Sequence, residues 1–178
     1  GPGYGGSCFP KDTKAIAATG DEYGVDMSLI KEVIRANDKQ KTWIADKLAF
    51  LTRGLTGTVV AVLGLAFKAE TDDVRESPSI AIVERLLERG ATVQVHDPKA
   101  MENFGRIFGD RVEYLDSEFD AISGAHATVI LTEWNEYRNL DLERTKKLMT
   151  GNVILDARNV LEPDRARALG FIYSGVGR

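Results

Sequence analysis

From Thr58 onward the chain carries short, largely apolar runs rich in β-branched residues. The first, Thr58–Leu63 (TVVAVL), stops at Gly64. A strand with one wet face alternates apolar and polar residues, whereas an unbroken run is buried on both faces, as in a parallel sheet. Ala91–Val95, Val112–Leu115, Ala127–Leu131, Val153–Leu155 and Phe171–Tyr173 predict further strands. Helical stretches fall between several of them. Ser77-Pro78 supplies an N-cap and an N1 proline for a helix carrying Ile80, Ile82, Val83, Leu86 and Leu87 and ending at Gly90. Others are expected near Asp116–Ile122, Leu142–Met149 and Asp164–Leu169. Strands alternating with helices predict an α/β fold, a doubly wound parallel sheet covered on both faces.

Upstream of Gly54 the pattern is helical. A short stretch over Lys11–Gly20 is followed by one over Met27–Arg53 that contains neither Pro nor Gly. Ile30, Ile34, Ile44, Leu48 and Leu51 follow alternating steps of four and three, with Asn37 and Lys41 in the two intervening places. About 27 residues make a helix about 40 Å long, too long to bury its face on one small domain. It reads as a strut between domains or a subunit interface, the alternative being an ordinary helix packed on the α/β domain. The chain therefore divides into a helical segment, residues 1–55, and an α/β domain, residues 56–178.

Composition narrows the function. Of 178 residues, 23 are Lys or Arg and 27 Asp or Glu, a net charge of −4, which gives no basic surface for nucleic acid or an anionic membrane. One Cys and two His leave no internal disulfide and no expected metal site. No apolar run approaches the roughly 18 residues that span a bilayer, and no signal peptide heads the sequence, so a cytoplasmic location is expected.

The residues that carry chemistry lie at the start of the chain and after the strands. Gly1, Gly3 and Gly6 satisfy G-x-G-x-x-G, but no strand precedes them and Pro10 follows, so this is not a dinucleotide fingerprint. Glycines there would instead let a ligand approach the backbone, or form a bare flexible terminus. Cys8 stands just before the first helix, where free amide groups and Lys11 favour the nucleophilic thiolate. A small buried hydrophobe is the other reading. Asp12 is placed to act as a base or to orient water. The long connection Gly64–Ser77 (GLAFKAETDDVRES) lies at a strand's carboxyl end, where open sheets hold ligands. Lys68 and Arg75 in it suit phosphates, unless Asp72, Asp73 and Glu76 neutralise them in a solvated loop. Asp97-Pro98 is better explained as turn chemistry than as a ribose ligand. Glu133 and Trp134 in LTEW, and Arg158 in DARN, follow other strands, so three loops converge on one edge. His96 and His126 stand alone and read as structural or surface residues.

Taken together, GPGYGGSCFPKD, GLAFKAETDDVRESPS, LTEW and DARN resemble, in order, the signatures of the nucleotide-sugar dehydrogenases of the UDP-glucose/GDP-mannose dehydrogenase family. The resemblance extends over essentially the whole chain. It implies a Rossmann-like domain that binds UDP-sugar, and a four-electron oxidation of a sugar C6 alcohol to a carboxylate with two NAD, UDP-glucose to UDP-glucuronate. It implies that Cys8 is the nucleophile of a thiohemiacetal and a thioester, and Asp12 an acid that assists water or proton transfer. Gly5 and Gly6 would lie against the sugar, Phe67 and Lys68 at the nucleotide and its diphosphate, and Arg158 at the substrate. Lys11 and Arg75 would reach toward the cofactor, and Met27–Arg53 would form the core of a homodimer. The family's NAD-binding domain and its upstream Lys and Asn are not in these residues, so the chain alone is expected to bind UDP-sugar at most. Alternatives are a dehydrogenase of another nucleotide sugar (a UDP-N-acetylhexosamine or GDP-mannose) and a non-catalytic nucleotide-sugar-binding module.

Overall fold

The computed structural model describes residues 1–178. Two helices open the chain, α1 (Phe9–Glu22) and α2 (Ser28–Leu51). After them come β1 (Val59–Leu63), α3 (Pro78–Glu88), β2 (Thr92–His96), α4 (Met101–Phe108), β3 (Glu113–Tyr114), α5 (Glu118–Ile122), β4 (Ala127–Ile130), α6 (Asn135–Arg138), α7 (Leu142–Leu148), β5 (Val153–Asp156), α8 (Pro163–Ala168) and β6 (Ile172–Gly175). All six expected strands are present, though β3 is only two residues long. Helices α4 and α6 have no counterpart among the expected elements. The first has Gly105 at its centre and buries only Phe104 and Phe108, and the second is a single turn.

The strands form one parallel sheet in the order β3-β2-β1-β4-β5-β6. Because side chains alternate across a strand, β1 feeds two cores at once. Val60 and Val62 face one core with Ile82, Val83, Leu86, Val93 and Phe104, and Ala61 and Leu63 face the other with Ile122, Ile130, Trp134, Tyr137 and Ile154. Both faces are thus buried, as the unbroken apolar runs require. Helix α3 starts as expected, with Ser77 Oγ accepting from Ser79 N at 3.3 Å and Pro78 at the first helical position.

Helix α2 divides between the two readings of its length. Ile44, Ala45 and Leu48 of its second half sit in the first core, while Leu29 near its start is 76% exposed. Asn37 and Lys41 are buried on the same stripe. No helix is long and apolar enough to cross a membrane.

The loops leaving the sheet's carboxyl edge are tied together by one buried carboxylate. Asp97 Oδ2 accepts from Leu65 N (2.7 Å), Ala66 N (3.1 Å) and Trp134 Nε1 (3.1 Å). Its Oδ1 accepts from Lys99 N and Ala100 N, both at 2.9 Å. The turn expected at Asp97-Pro98 is there, and the same side chain also joins the loops after β1, β2 and β4. Its neighbour His96 is structural: Tyr137 Oη donates to the His96 carbonyl at 2.9 Å and lies 3.0 Å from Nδ1, while burial holds the imidazole pKa below its ordinary value. His126 is exposed, its Nδ1 accepting from Val59 N at 3.1 Å. Replacing Asp97 by Asn turns an NH2 group toward two or three of these five donors. Asp97→Asn is therefore expected to cost about 3 kcal/mol in urea unfolding, and an unchanged midpoint would contradict the joining role.

Candidate active site at the switch point of the sheet

From β1 the sheet extends one way through β2 to β3, and from β4 the other way through β5 to β6. The carboxyl ends of β1 and β4 therefore flank a crevice where loops diverge, the place open α/β sheets offer to ligands. The loops here touch closely. Gly64 has φ +98° and a Cβ built on it would lie 2.5 Å from Thr132 N, so only glycine admits this approach. Thr132 Oγ1 donates to the Ala66 carbonyl at 2.6 Å.

Arg158 completes the convergence of the three loops. Its Nε donates to the Leu131 carbonyl (2.7 Å) and an Nη to the Phe67 carbonyl (3.0 Å). Glu133 Oε2 lies 3.1 Å from the same Nε but receives no hydrogen bond, because the N–H is directed at Leu131, so this carboxylate acts as a nearby charge only. Burial lowers the guanidinium pKa and Glu133 opposes that shift. The side chain read as a substrate contact from sequence is thus largely engaged inside the protein.

The glycine-rich opening of the chain lies over this edge. Gly6 N donates to the Arg75 carbonyl at 2.9 Å. A Cβ on Gly5 would fall 2.4 Å from the Glu76 carbonyl oxygen, and one on Gly6, with φ +87°, 2.9 Å from the Phe67 ring. The glycines are thus needed first for the protein's own backbone and ring to come close, where the sequence suggests a ligand. The loop then enters α1, two residues before the expected start at Lys11, with Cys8 as N-cap and Asp12 N bonded to the Cys8 carbonyl at 2.8 Å.

Cys8 is exposed, against the reading of it as a buried hydrophobe. It lines a cleft of about 270 Å³ with Gly5, Gly6, Ser7, Phe9, Phe67 and Lys68. The structure thus brings Cys8, the paired glycines, Phe67 and Lys68 to one opening. Lys68 is exposed, makes no ion pair and has its ammonium 5.4 Å from the Phe67 ring centroid. A second cleft of about 440 Å³ adjoins the loop, lined by Gly6, Ser7, Lys11, Lys14, Arg75 and Glu76. Its cations are paired: Lys11 with Asp12 (2.7 Å), Lys14 with Glu76 (2.9 Å) and Arg75 with Asp73 (2.8 Å). The loop thus neutralises Arg75 but leaves Lys68 free. Hydrogen bonds to those carboxylates raise the pKa of Lys11 and Arg75, with the charge of Cys8 a lesser cause for both. Asp12 points its carboxylate at Lys11, so either could move when a ligand arrives. Asn37, which bonds to both backbone groups of Tyr4, and Asp97 have partners too distant in the chain for sequence spacing to reveal.

The family follows from comparison with known proteins. Residues 61–163 match the UDP-binding domain of the UDP-glucose/GDP-mannose dehydrogenase family, and residues 1–39 match that family's central domain. The chain belongs to this family. It is 41% identical to a UDP-glucose 6-dehydrogenase of Rhizobium meliloti (strain 1021), covering 100% of this chain and 41% of the relative. It is 40% identical to UDP-glucose 6-dehydrogenase TuaD of Bacillus subtilis (strain 168), covering 100% of this chain and 39% of that one. A UDP-glucose dehydrogenase from Pyrobaculum islandicum superposes with a TM-score of 0.87 at 41% identity, over 99% of this chain and 38% of the other. An NDP-N-acetyl-D-galactosaminuronic acid dehydrogenase from Methanosarcina mazei superposes with 0.88 at 32% identity, over 100% and 39%. The chain therefore spans about two fifths of the relatives it matches.

Arg158→Lys tests the convergence. An ammonium cannot span both carbonyls, so a loss of about 2 kcal/mol in urea unfolding is expected, with Lys68→Ala near neutral. Equal stability of Arg158→Lys and the parent would remove Arg158 as the brace.

Proposed function

We propose that this chain is the UDP-sugar-binding and cysteine-bearing part of an NAD-dependent UDP-glucose 6-dehydrogenase. The observation that carries the reading is one cleft beside the loop after β1 that is lined by both an exposed cysteine and an unpaired lysine. A nucleotide sugar offers a partner to each, an anionic diphosphate for the lysine and a neutral sugar for the cysteine. Lys68 binds the diphosphate as a point charge, Phe67 borders the nucleotide, and Gly5 and Gly6 lie against the sugar. Arg158 serves mainly by holding the floor of this site in shape.

Cys8 then meets the sugar C6. Once two-electron oxidation of the C6 alcohol has given the aldehyde, the Cys8 thiolate adds there to form a thiohemiacetal, whose further oxidation by two electrons gives a thioester. Water hydrolyses the thioester to the carboxylate and returns the thiol, with Asp12 assisting the proton transfers. NAD supplies the acceptor for each hydride when bound. Lys11, Lys14 and Arg75 around the second cleft fit an anionic cofactor edge, because exchanging the exposed carboxylate partners of the two lysines for phosphate oxygens is inexpensive. Hydride transfer needs groups beyond these residues. The exposed apolar side chains of α2, Leu29, Val33 and Phe50 among them, support a homodimer through that helix.

Calorimetric titration of the purified chain with UDP, GDP and NAD tests this reading. UDP is expected to bind selectively, with affinity reduced about tenfold or more in Lys68→Ala, the loss of one charge-assisted contact. The same sample is expected to sediment as a dimer and to form no NADH when NAD and UDP-glucose are added together. Binding of NAD but not UDP would mean the two nucleotide sites are exchanged, and binding of neither would count against a UDP site in this chain. A clean monomer at micromolar concentration would remove α2 as the interface.

A further inference from the structure

Nothing bonded to the Cys8 side chain explains its placement. Ser7 Oγ, 3.8 Å from the sulfur, is its one hydrogen-bonding contact. The thiol is therefore directed by the backbone on either side of it, and that backbone has an identifiable anchor on α2.

Asn37 lies in the buried stripe of α2 at 8% exposure, where an apolar residue would continue the periodicity. A buried carboxamide must have partners or cost stability. Asn37 uses both ends of its amide on one residue: Oδ1 accepts from Tyr4 N at 2.7 Å, and Nδ2 donates to the Tyr4 carbonyl at 3.2 Å. This two-point grip holds the backbone of Tyr4 in the manner of a strand partner. The space for it is made by Gly3, where a Cβ would fall 2.8 Å from Asn37 Oδ1. The Tyr4 ring in turn meets the Phe9 ring edge-on, with centroids 4.5 Å apart, and Phe9 is the first residue of α1. The grip thus reaches Cys8 from both sides, through the backbone of Gly5–Ser7 before it and through Phe9 after it. On the opposite flank, Gly6 N bonds to the Arg75 carbonyl and Lys14 pairs with Glu76.

We propose that Asn37 is a positioning residue for Cys8, which it acts upon through the Tyr4 backbone and without touching substrate. The inference rests on the reading of Cys8 as the nucleophile, and its test separates the two. Cys8 is the only cysteine, so a nitroxide attached to the chain reports this one site. In the parent the label is expected to give a mainly immobilised spectrum. In Asn37→Leu, of the same branched heavy-atom skeleton but without hydrogen bonds, the immobilised component is expected to lose its dominance. Asn37→Asp keeps an acceptor for Tyr4 N and sets a carboxylate against the Tyr4 carbonyl, so it should fall between the two. Asn139→Ala, which removes an exposed amide elsewhere, should leave the spectrum unchanged.

Loss of a residue that only adds stability would lower the unfolding temperature without moving the spectrum of the folded chain. Superimposable spectra of parent and Asn37→Leu below that temperature would overturn the proposal. Should Asn37→Leu fail to fold, Asn37→Asp decides by the same comparison. UDP titration of the variants is expected to match the parent, since Lys68 lies outside the grip. If the parent binds no UDP, the functional reading fails while the nitroxide comparison still decides the role of Asn37.

Discussion

The site depends on the carboxylate of Asp97. A parallel sheet leaves its loops at the carboxyl edge with unpaired amides, and burying them without acceptors would cost more than the loops gain by packing. One carboxylate with five N–H donors from three loops removes that cost and sets where each loop begins. Arg158 does the complementary work for carbonyls, donating to Leu131 and Phe67. An acceptor and a donor, both inside the edge, thus give a rigid floor to the crevice between β1 and β4.

Chemistry is placed on that floor by elements from elsewhere in the chain. The cysteine arrives on a glycine-rich loop clamped between Asn37 of α2 and the Phe67–Glu76 segment, and only then enters α1. Because the thiol has no strong partner of its own, it remains open to a ligand while its backbone is held. The cations follow the same logic. Lys11 and Lys14 are neutralised by exposed carboxylates that a ligand could replace and Arg75 by the half-buried Asp73, whereas Lys68 stands unpaired in the cleft beside Phe67.

Much of this is legible in the residues. The unbroken β-branched runs locate the strands within a residue or two, because burial on both faces leaves little alternative to a parallel sheet. Ser77-Pro78 marks the start of α3 for local reasons that the structure repeats. Helix α4 escapes because Gly105 interrupts eight residues with only two buried aromatics, and α6 because one turn has no periodicity to read. Within the site, Cys8, the paired glycines, Phe67 and Lys68 stand out in the sequence and share one cleft. Asn37 visibly interrupts an apolar stripe, but its partner Tyr4 is 33 residues away and no local pattern links them. The internal role of Arg158 is hidden for the same reason, as its carbonyl partners come from two other loops. The glycines are rightly associated with close approach, though what approaches first is the protein itself.

The central claim is that Cys8 and Lys68 face opposite ends of one bound nucleotide sugar. Its most direct measurement is the rate of Cys8 alkylation by iodoacetamide with and without saturating UDP-glucose, in the parent and in Lys68→Ala. Strong protection of the parent by UDP-glucose is predicted, with weak protection by UDP alone, and in Lys68→Ala the concentration needed for half protection is predicted to rise about tenfold or more. An alkylation rate unchanged by UDP-glucose that calorimetry shows to be bound would place the sugar away from Cys8 and contradict the claim.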